Sequence, residues 1–249
     1  YDGLWAPHHT CDASDYTSSD ATATRGQGST MTSILILNYN GKEHVERCLL
    51  ALRVFTDAAY ELIVIDNGST DGSQEFLRAA DAPNMTLVEN PENIGCPPAR
   101  AQGMSLAGGD YIVFLDNDTV VTSGWLSRLI RHCENDPAIG MLGPSTNYIS
   151  GPQMIPGVAY ETTPELVSIA ETMALHFEGV LQPTTRLVGF CMFMRRAVVD
   201  AIGCCDPRFG KYGFEDDDYS IRAILAGFRL CIARDVFIHH LGSRGQVDG

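Results

Sequence analysis

The sequence predicts a doubly wound α/β fold. Short apolar, β-branched runs recur from Ser33 onward, helically spaced segments of about ten residues separate them, and each run ends in a polar, turn-forming cluster. Strands buried on both faces of a parallel sheet read as near-continuous hydrophobic runs, which is the pattern here. At 249 residues and 45% hydrophobic content, the chain is long enough to bury one large core.

Taken in order, SILIL (33–37) predicts a buried strand and EHVERCLLALRVF (43–55) a helix. ELIVI (61–65) is a second strand, SQEFLRAA (73–80) a helix, MTLVE (85–89) a third strand and PARAQGMSLA (98–107) a helix. DYIVFL (110–115) is a fourth strand, followed by the helix GWLSRLIRHCEN (124–135). After AIGMLGP (138–144) the rhythm changes. Residues 147–164 are loop-like, PELVSIAETMALHFE (164–178) is helical, and RLVGFCMFMRR (186–196) reads as a strand. A glycine-rich loop, GCCDPRFGKYGF, leads into a helix at EDDDYSIRAILAG (215–227), with Gly227 as its C-terminal cap. FRLCIARDVFIHHLGS then predicts two short strands running into a loop. Residues 1–30, rich in Ser, Thr, Asp, Ala and Gly without periodicity, read as a linker, tag or disordered lead-in. The folded part then spans 31–249, with a first half at 31–145 and a second at 146–249, and a chain opening on Tyr reads as a fragment.

Seventeen basic and thirty-one acidic residues give a net charge of -14, which argues against a nucleic-acid partner, since that needs a basic face. A small anion remains compatible if a cation bridges it. No apolar run approaches the roughly 20 residues of a transmembrane helix. The eight cysteines form no C-x-x-C pair, and most lie in apolar stretches, so reduced core thiols and a cytoplasmic setting are expected.

Sites in doubly wound sheets lie outside the carboxyl ends of the strands. Strand one ends in Asn38, Tyr39 and Asn40, strand two in Asp66 and Asn67, strand three leads to Asn90 and Asn93, and strand four ends in Asp116, Asn117 and Asp118. Any one cluster is explained by turn formation; four at one sheet edge are not. Asp116 and Asp118 share a face of extended backbone and suit Mg2+ or Mn2+ with positions left for phosphate oxygens, against an Asx-turn or a cap for the helix at Trp125. Glu215, Asp216, Asp217 and Asp218 open a helix after a glycine loop, more acids than a helix dipole requires, and a carboxylate there can take a proton from a hydroxyl. Alternation turns one of His239 and His240 toward the same edge as a third metal ligand.

With SILILNYNG, ELIVIDNGSTDGS, NPENIG, YIVFLDNDT, LVGFCMFMRR, FGKYGFEDDDYSIR and FIHHLGS in this order, the chain resembles the family 2 glycosyltransferases over residues 32–245. The resemblance implies a GT-A fold, with a mostly parallel Rossmann-like sheet and a smaller mixed acceptor-side half. It implies inverting transfer from a nucleotide-diphosphate sugar to a hydroxyl of a glycan or lipid-linked acceptor, with Mn2+ or Mg2+ as cofactor. Asn38, Tyr39 and Asn40 would line the nucleotide pocket, Asp66 would bond the base, and Asn93 and Arg100 would lie near the ribose and phosphates. Asp116 and Asn117 would contact the sugar nucleotide, and Asp118, Asp116 and His240 would hold the metal. Asp216 would be the general base, with Glu215 beside it. Such an enzyme would work in the cytoplasm, with peripheral association at the inner membrane face compatible with a lipid-linked acceptor. Cys96 and the prolines after NIG depart from the family pattern. A catalytically silent nucleotide-sugar- or glycan-binding module of a larger protein and a sugar-phosphate nucleotidyltransferase are the alternatives.

Overall fold

The computed structural model describes residues 30–242, apart from Asp81 and Tyr212. The lead-in expected over residues 1–30 lies, except for its last residue, outside the described residues, as does Cys11. In the first half, β1 (Thr32–Asn38), β2 (Tyr60–Asp66), β3 (Met85–Glu89) and β4 (Tyr111–Asp116) are all parallel, in the spatial order β3-β2-β1-β4. Alternation along each strand splits the core by parity. Ile34, Ile36, Leu62, Val64, Val113 and Leu115 face Val45, Cys48 and Leu52 of α1 (Lys42–Phe55) and Trp125 and Leu129 of α4 (Trp125–Asn135). Leu35, Ile63, Ile65, Ile112 and Phe114 face Ala99 and Met104 of α3 (Cys96–Leu106) on the opposite side. Between β2 and β3, α2 (Ser73–Ala79) buries Leu77. These elements match the expected ones to within about two residues.

The second half extends the same sheet. The full eight-stranded order is β3-β2-β1-β4-β8-β6-β9-β7, with β6 (Ile139–Ser145), β7 (Leu181–Thr184), β8 (Cys191–Arg195) and β9 (Arg229–Phe237). β8 runs antiparallel to β4 and β6, β7 runs antiparallel to β9, and β6 and β9 are parallel. A two-residue ribbon, β5 (Thr119–Val120) against β10 (His239–His240), stands apart. α5 (Thr163–His176) opens with a capping box between Thr162 and Glu165 and packs Leu166 and Ala170 on Phe237. α7 (Glu215–Leu225) ends in a Schellman motif around Gly227 at φ +92, where Gly227 N donates to Ile224 O and Phe228 N to Ala223 O. Among the described residues no helix is long and apolar enough to cross a membrane.

Four expectations are corrected. The strand expected from Arg186 begins only at Cys191, because Leu187 N and Val188 N bond to the side chains of Ser220 and Gln153 instead of a ladder. Its last residue starts a helix, α6 (Arg196–Ile202). The two short strands expected after Phe228 are one nine-residue strand, β9, followed by β10. Finally, Cys204 is disulfide-bonded, whereas Cys48, Cys96, Cys133, Cys191, Cys205 and Cys231 are free, as expected.

Candidate functional site

Parallel register sets the carboxyl ends of the first strands side by side: Asn38 lies opposite Asp66, and Asp116 opposite Leu37. Asn38 is fully enclosed. Its Nδ2 donates to Asp66 Oδ2 at 2.9 Å, and its Oδ1 accepts from Asn117 Nδ2 at 2.7 Å. Asp66 Oδ1 also accepts from Ser69 N and Gln74 Nε2, each at 2.9 Å. Both oxygens of Asp66 therefore serve protein donors. Tyr39 is half-buried at the same edge, and Asn40, at φ +47, accepts from Thr70 N at 2.8 Å through Oδ1. Asn93 Oδ1 accepts from Asn67 Nδ2 at 2.8 Å and Gly95 N at 2.9 Å, which shapes the turn into α3.

Asp116, Asp118 and His240 each offer one ligand atom, and these atoms all lie within 4.8 Å of one another. The β5–β10 ribbon causes this convergence, pairing His240 with Thr119 next to Asp118. His240 Nε2 lies 3.3 Å from Asp118 Oδ1, and its Nδ1 faces Tyr148 O at 2.7 Å. A proton on Nδ1 donated to that carbonyl leaves the Nε2 lone pair directed at the two acids, the tautomer a metal needs. The ring also stacks on Phe190, with centroids 5.1 Å apart. His239 points away, its Nδ1 bonded to the Tyr160 hydroxyl. Because α4 is capped by Gly124, Asp118 is no helix cap.

Charge at this cluster is perturbed. Burial pushes the Asp116 carboxyl up to about 6; the Arg100 guanidinium opposes this and Asp118 adds to it. Burial works against a charged His240, but the hydrogen bond and charge of Asp118 outweigh it, raising the imidazole above its ordinary value. Two acids and a histidine held this close favour a cation among them. One carboxylate oxygen from each acid and an imidazole nitrogen form a donor set suited to Mn2+ or Mg2+.

Arg100, expected near the donor's ribose and phosphates, is 7% exposed. Its Nη1 donates to Glu215 Oε1 at 3.3 Å, and its Nη2 donates to Asp116 Oδ1 at 3.2 Å and Gly189 O at 3.0 Å. Glu215 is buried as well, and its other oxygen accepts from Gly213 N at 2.8 Å. Expected beside the base in catalysis, it anchors the start of α7. Asp216 is the half-buried acid of the pair; its Oδ2 accepts from Gly189 N at 3.0 Å and its Oδ1 from Asp217 N at 2.9 Å. The residue before the pair, Phe214, is 74% exposed at φ +66, a backbone conformation rare for a bulky side chain.

Sequence reasoning missed Asn147, Tyr148 and Gly189. An isolated glycine within a strand-like run marks close backbone approach, and that signal was available for Gly189. Nothing local distinguishes Asn147 from an ordinary turn residue.

The family model for glycosyl transferase family 2 matches residues 33–203. The chain is 28% identical over 214 residues to the glycosyltransferase AglE of Haloferax volcanii, covering 84% of this chain and 66% of AglE. It is 25% identical over 232 residues to the N-acetylglucosaminyl-diphospho-decaprenol L-rhamnosyltransferase of Mycobacterium tuberculosis, covering 83% and 75% of the two chains. Among solved structures, GalNAc-T7 with UDP, GalNAc and Mn2+ superimposes with a TM-score of 0.67 at 18% identity, over 85% of this chain and 43% of that one. That likeness establishes the fold as GT-A. With the family model matching well over half of its length, the chain belongs to glycosyltransferase family 2.

Proposed function

We propose that this chain transfers a sugar from a nucleotide-diphosphate sugar to a hydroxyl of a glycan or lipid-linked acceptor, in a metal-dependent displacement that inverts the anomeric centre. The observation that carries this reading is the Asp116, Asp118 and His240 cluster, linked through Arg100 and Gly189 to Asp216. Support comes from GalNAc-T7, solved with UDP and Mn2+, and from the mycobacterial relative, whose name joins rhamnosyl transfer to a lipid-diphosphate-linked sugar.

Asp118, Asp116 and His240 would hold Mn2+ or Mg2+, and the bound ion supplies positive charge to the diphosphate leaving group. Tyr39, Asn40 and Asn93 line the nucleotide side, with Asn38, Asp66 and Asn117 setting their positions from behind. Asp216 removes the acceptor hydroxyl's proton as that oxygen bonds to the anomeric carbon and the bond to the diphosphate breaks. Its two backbone N–H partners orient the carboxylate and leave lone pairs on both oxygens for that proton. A lipid-linked acceptor would bring the chain to a membrane face peripherally, from the cytoplasmic side.

Thermal shift with UDP-, GDP-, dTDP- and CDP-sugars, with and without Mn2+, tests the reading. One donor class should stabilise the protein by about 3 kcal/mol at a hundredfold excess over Kd, only when Mn2+ is present. Asp118→Ala should remove the Mn2+ dependence. A protein indifferent to every donor would favour the silent-module reading instead.

A further inference from the structure

We infer that Arg100 is a positioning residue: its one guanidinium ties the metal-side acid Asp116 to the base Asp216, through the Gly189 peptide and the Asp216 neighbour Glu215. The inference rests on the proposed transfer reaction and adds a residue to it.

The Gly189 peptide is used at both ends. Its carbonyl accepts from Arg100 Nη2 at 3.0 Å, while its N–H donates to Asp216 Oδ2 at 3.0 Å. The same Nη2 reaches Asp116 Oδ1 at 3.2 Å, and Nη1 reaches Glu215 Oε1 at 3.3 Å. Glu215 and Asp216 are consecutive in the first turn of α7, so the base is located twice, once through its chain neighbour and once through Gly189. The guanidinium carbon lies 4.9 Å from the centre of the Phe114 ring, which closes one face of the group. A Cβ on Gly189 would stand 2.7 Å from Arg100 Nη1 and 2.9 Å from Nη2, so glycine is what allows the approach.

Arginine suits this place because its rigid fork presents several donors in one plane, whereas lysine offers a compact ammonium on a flexible stem. Lysine would preserve the buried positive charge but could not span Asp116, Gly189 and Glu215 together. The foundation under the fork is firm: α3 starts with Pro97 and Pro98, and Cys96 N donates to Lys211 O at 2.6 Å, locking the helix start to the loop that precedes α7. A misplacement of about 1 Å at reacting groups costs on the order of a hundredfold in rate, and outer-shell partners of a metal ligand affect metal affinity about tenfold or more.

The experiment compares wild type, Arg100→Lys, Gly189→Ala and the double variant, with Mn2+ alone titrated by calorimetry and transfer followed with the donor that gives the Mn2+-dependent thermal shift. Arg100→Lys should weaken Mn2+ binding about tenfold and lower kcat about a hundredfold with donor KM changed little. Gly189→Ala pushes on the guanidinium from the other side and should shift both quantities in the same direction. The double variant should be no worse than the more damaged single one, since both act on one contact. Folded Arg100→Lys protein with wild-type Mn2+ affinity and kcat overturns the inference, as do additive effects in the double variant. Should Arg100→Lys fail to fold, Gly189→Ala decides alone on the same two readouts. Absence of transfer with every donor, or full turnover by Asp216→Asn, would instead overturn the reaction reading, while the Mn2+ titrations still decide the Arg100–Asp116 half.

Discussion

Asn147 grips His240 by both of its backbone polar groups: Asn147 Oδ1 accepts from His240 N at 2.9 Å, and Asn147 Nδ2 donates to His240 O at 3.0 Å. The next residue, Tyr148, faces the ring through its carbonyl. The loop after β6 therefore sets where the imidazole stands relative to Asp118.

Replacing Asn147 with Ala removes the side-chain partners of two backbone groups of His240. Mn2+ affinity, read by calorimetry, should fall about tenfold, and chemical denaturation should show a loss of about 1–3 kcal/mol. Unchanged affinity would mean that the ribbon pairing alone holds the histidine.

For the proposed base, Asp216→Asn keeps the side chain's shape but removes its capacity to take a proton. Mn2+-dependent donor binding should persist within about threefold, while transfer drops by about 100-fold or more. Binding by thermal shift and turnover by product formation separate the two, and wild-type turnover would remove the base assignment.

Gly41 sits where the loop after β1 passes Asn117, and an added Cβ would lie 2.4 Å from Asn117 Nδ2 and 3.1 Å from Asn38 Oδ1. Gly41→Ala should therefore break the Asn117–Asn38 hydrogen bond and cost about 1–3 kcal/mol by overpacking, measured by urea titration. Donor binding should weaken more than Mn2+ binding, because Asn117 bonds Asn38, which backs the proposed nucleotide side.

Asp71 links two elements: its Oδ2 accepts from Lys42 N at 2.9 Å and its Oδ1 from Ser73 N at 3.0 Å and Ser73 Oγ at 2.5 Å. Partial burial opposes its charge, but the bonds from Ser73 and Lys42 prevail and hold the carboxyl below its ordinary value. A depressed folded value means that the contribution is present above the unfolded value near 3.8 and is lost as pH falls through the folded one. Asp71→Ala should thus cost about 1 kcal/mol at pH 7, and the gap to wild type should close as the denaturation series is taken below about pH 4. A gap that stays constant into acid would show that the carboxylate's charge contributes nothing.

The first half of the fold was legible because β1, β2 and β4 are buried along most of their length, so their runs are almost continuously apolar. Beyond Asn147 the pattern was broken for identifiable reasons. Arg234 and Asp235 made β9 look like two strands, yet Asp235 is buried against His132 Nε2 at 2.8 Å and Arg234 reaches Pro152 O at 2.9 Å. β7, with the sequence LQPT, carries no apolar alternation, and α6 hid behind the β-branched pair Val198–Val199. At the site, the strand-end rule pointed to the edge where Asn38, Asp66, Asp116 and Asp118 lie, and alternation allowed one histidine there without saying which; the structure brings His240 to the two acids. Burial could not be read the same way. Arg100 and Glu215 carry side chains suited to a ligand, but they neutralise each other, a pairing between α3 and α7 that only the closed fold creates.

Among the described residues the eight-stranded sheet ends at β3 and β7, and an edge strand is a template for pairing with another chain. β7 spans only four residues, one of them Pro183, and beyond it the Arg186 N–H bonds back to Thr184 Oγ1. β3 ends at Glu89, in an ion pair with Arg78 at 2.8 Å. Shortness, a missing N–H and a charged pair are devices that blunt such borders against edge-to-edge pairing, and β7 supplies two of them through the same irregularity that made the second half hard to anticipate.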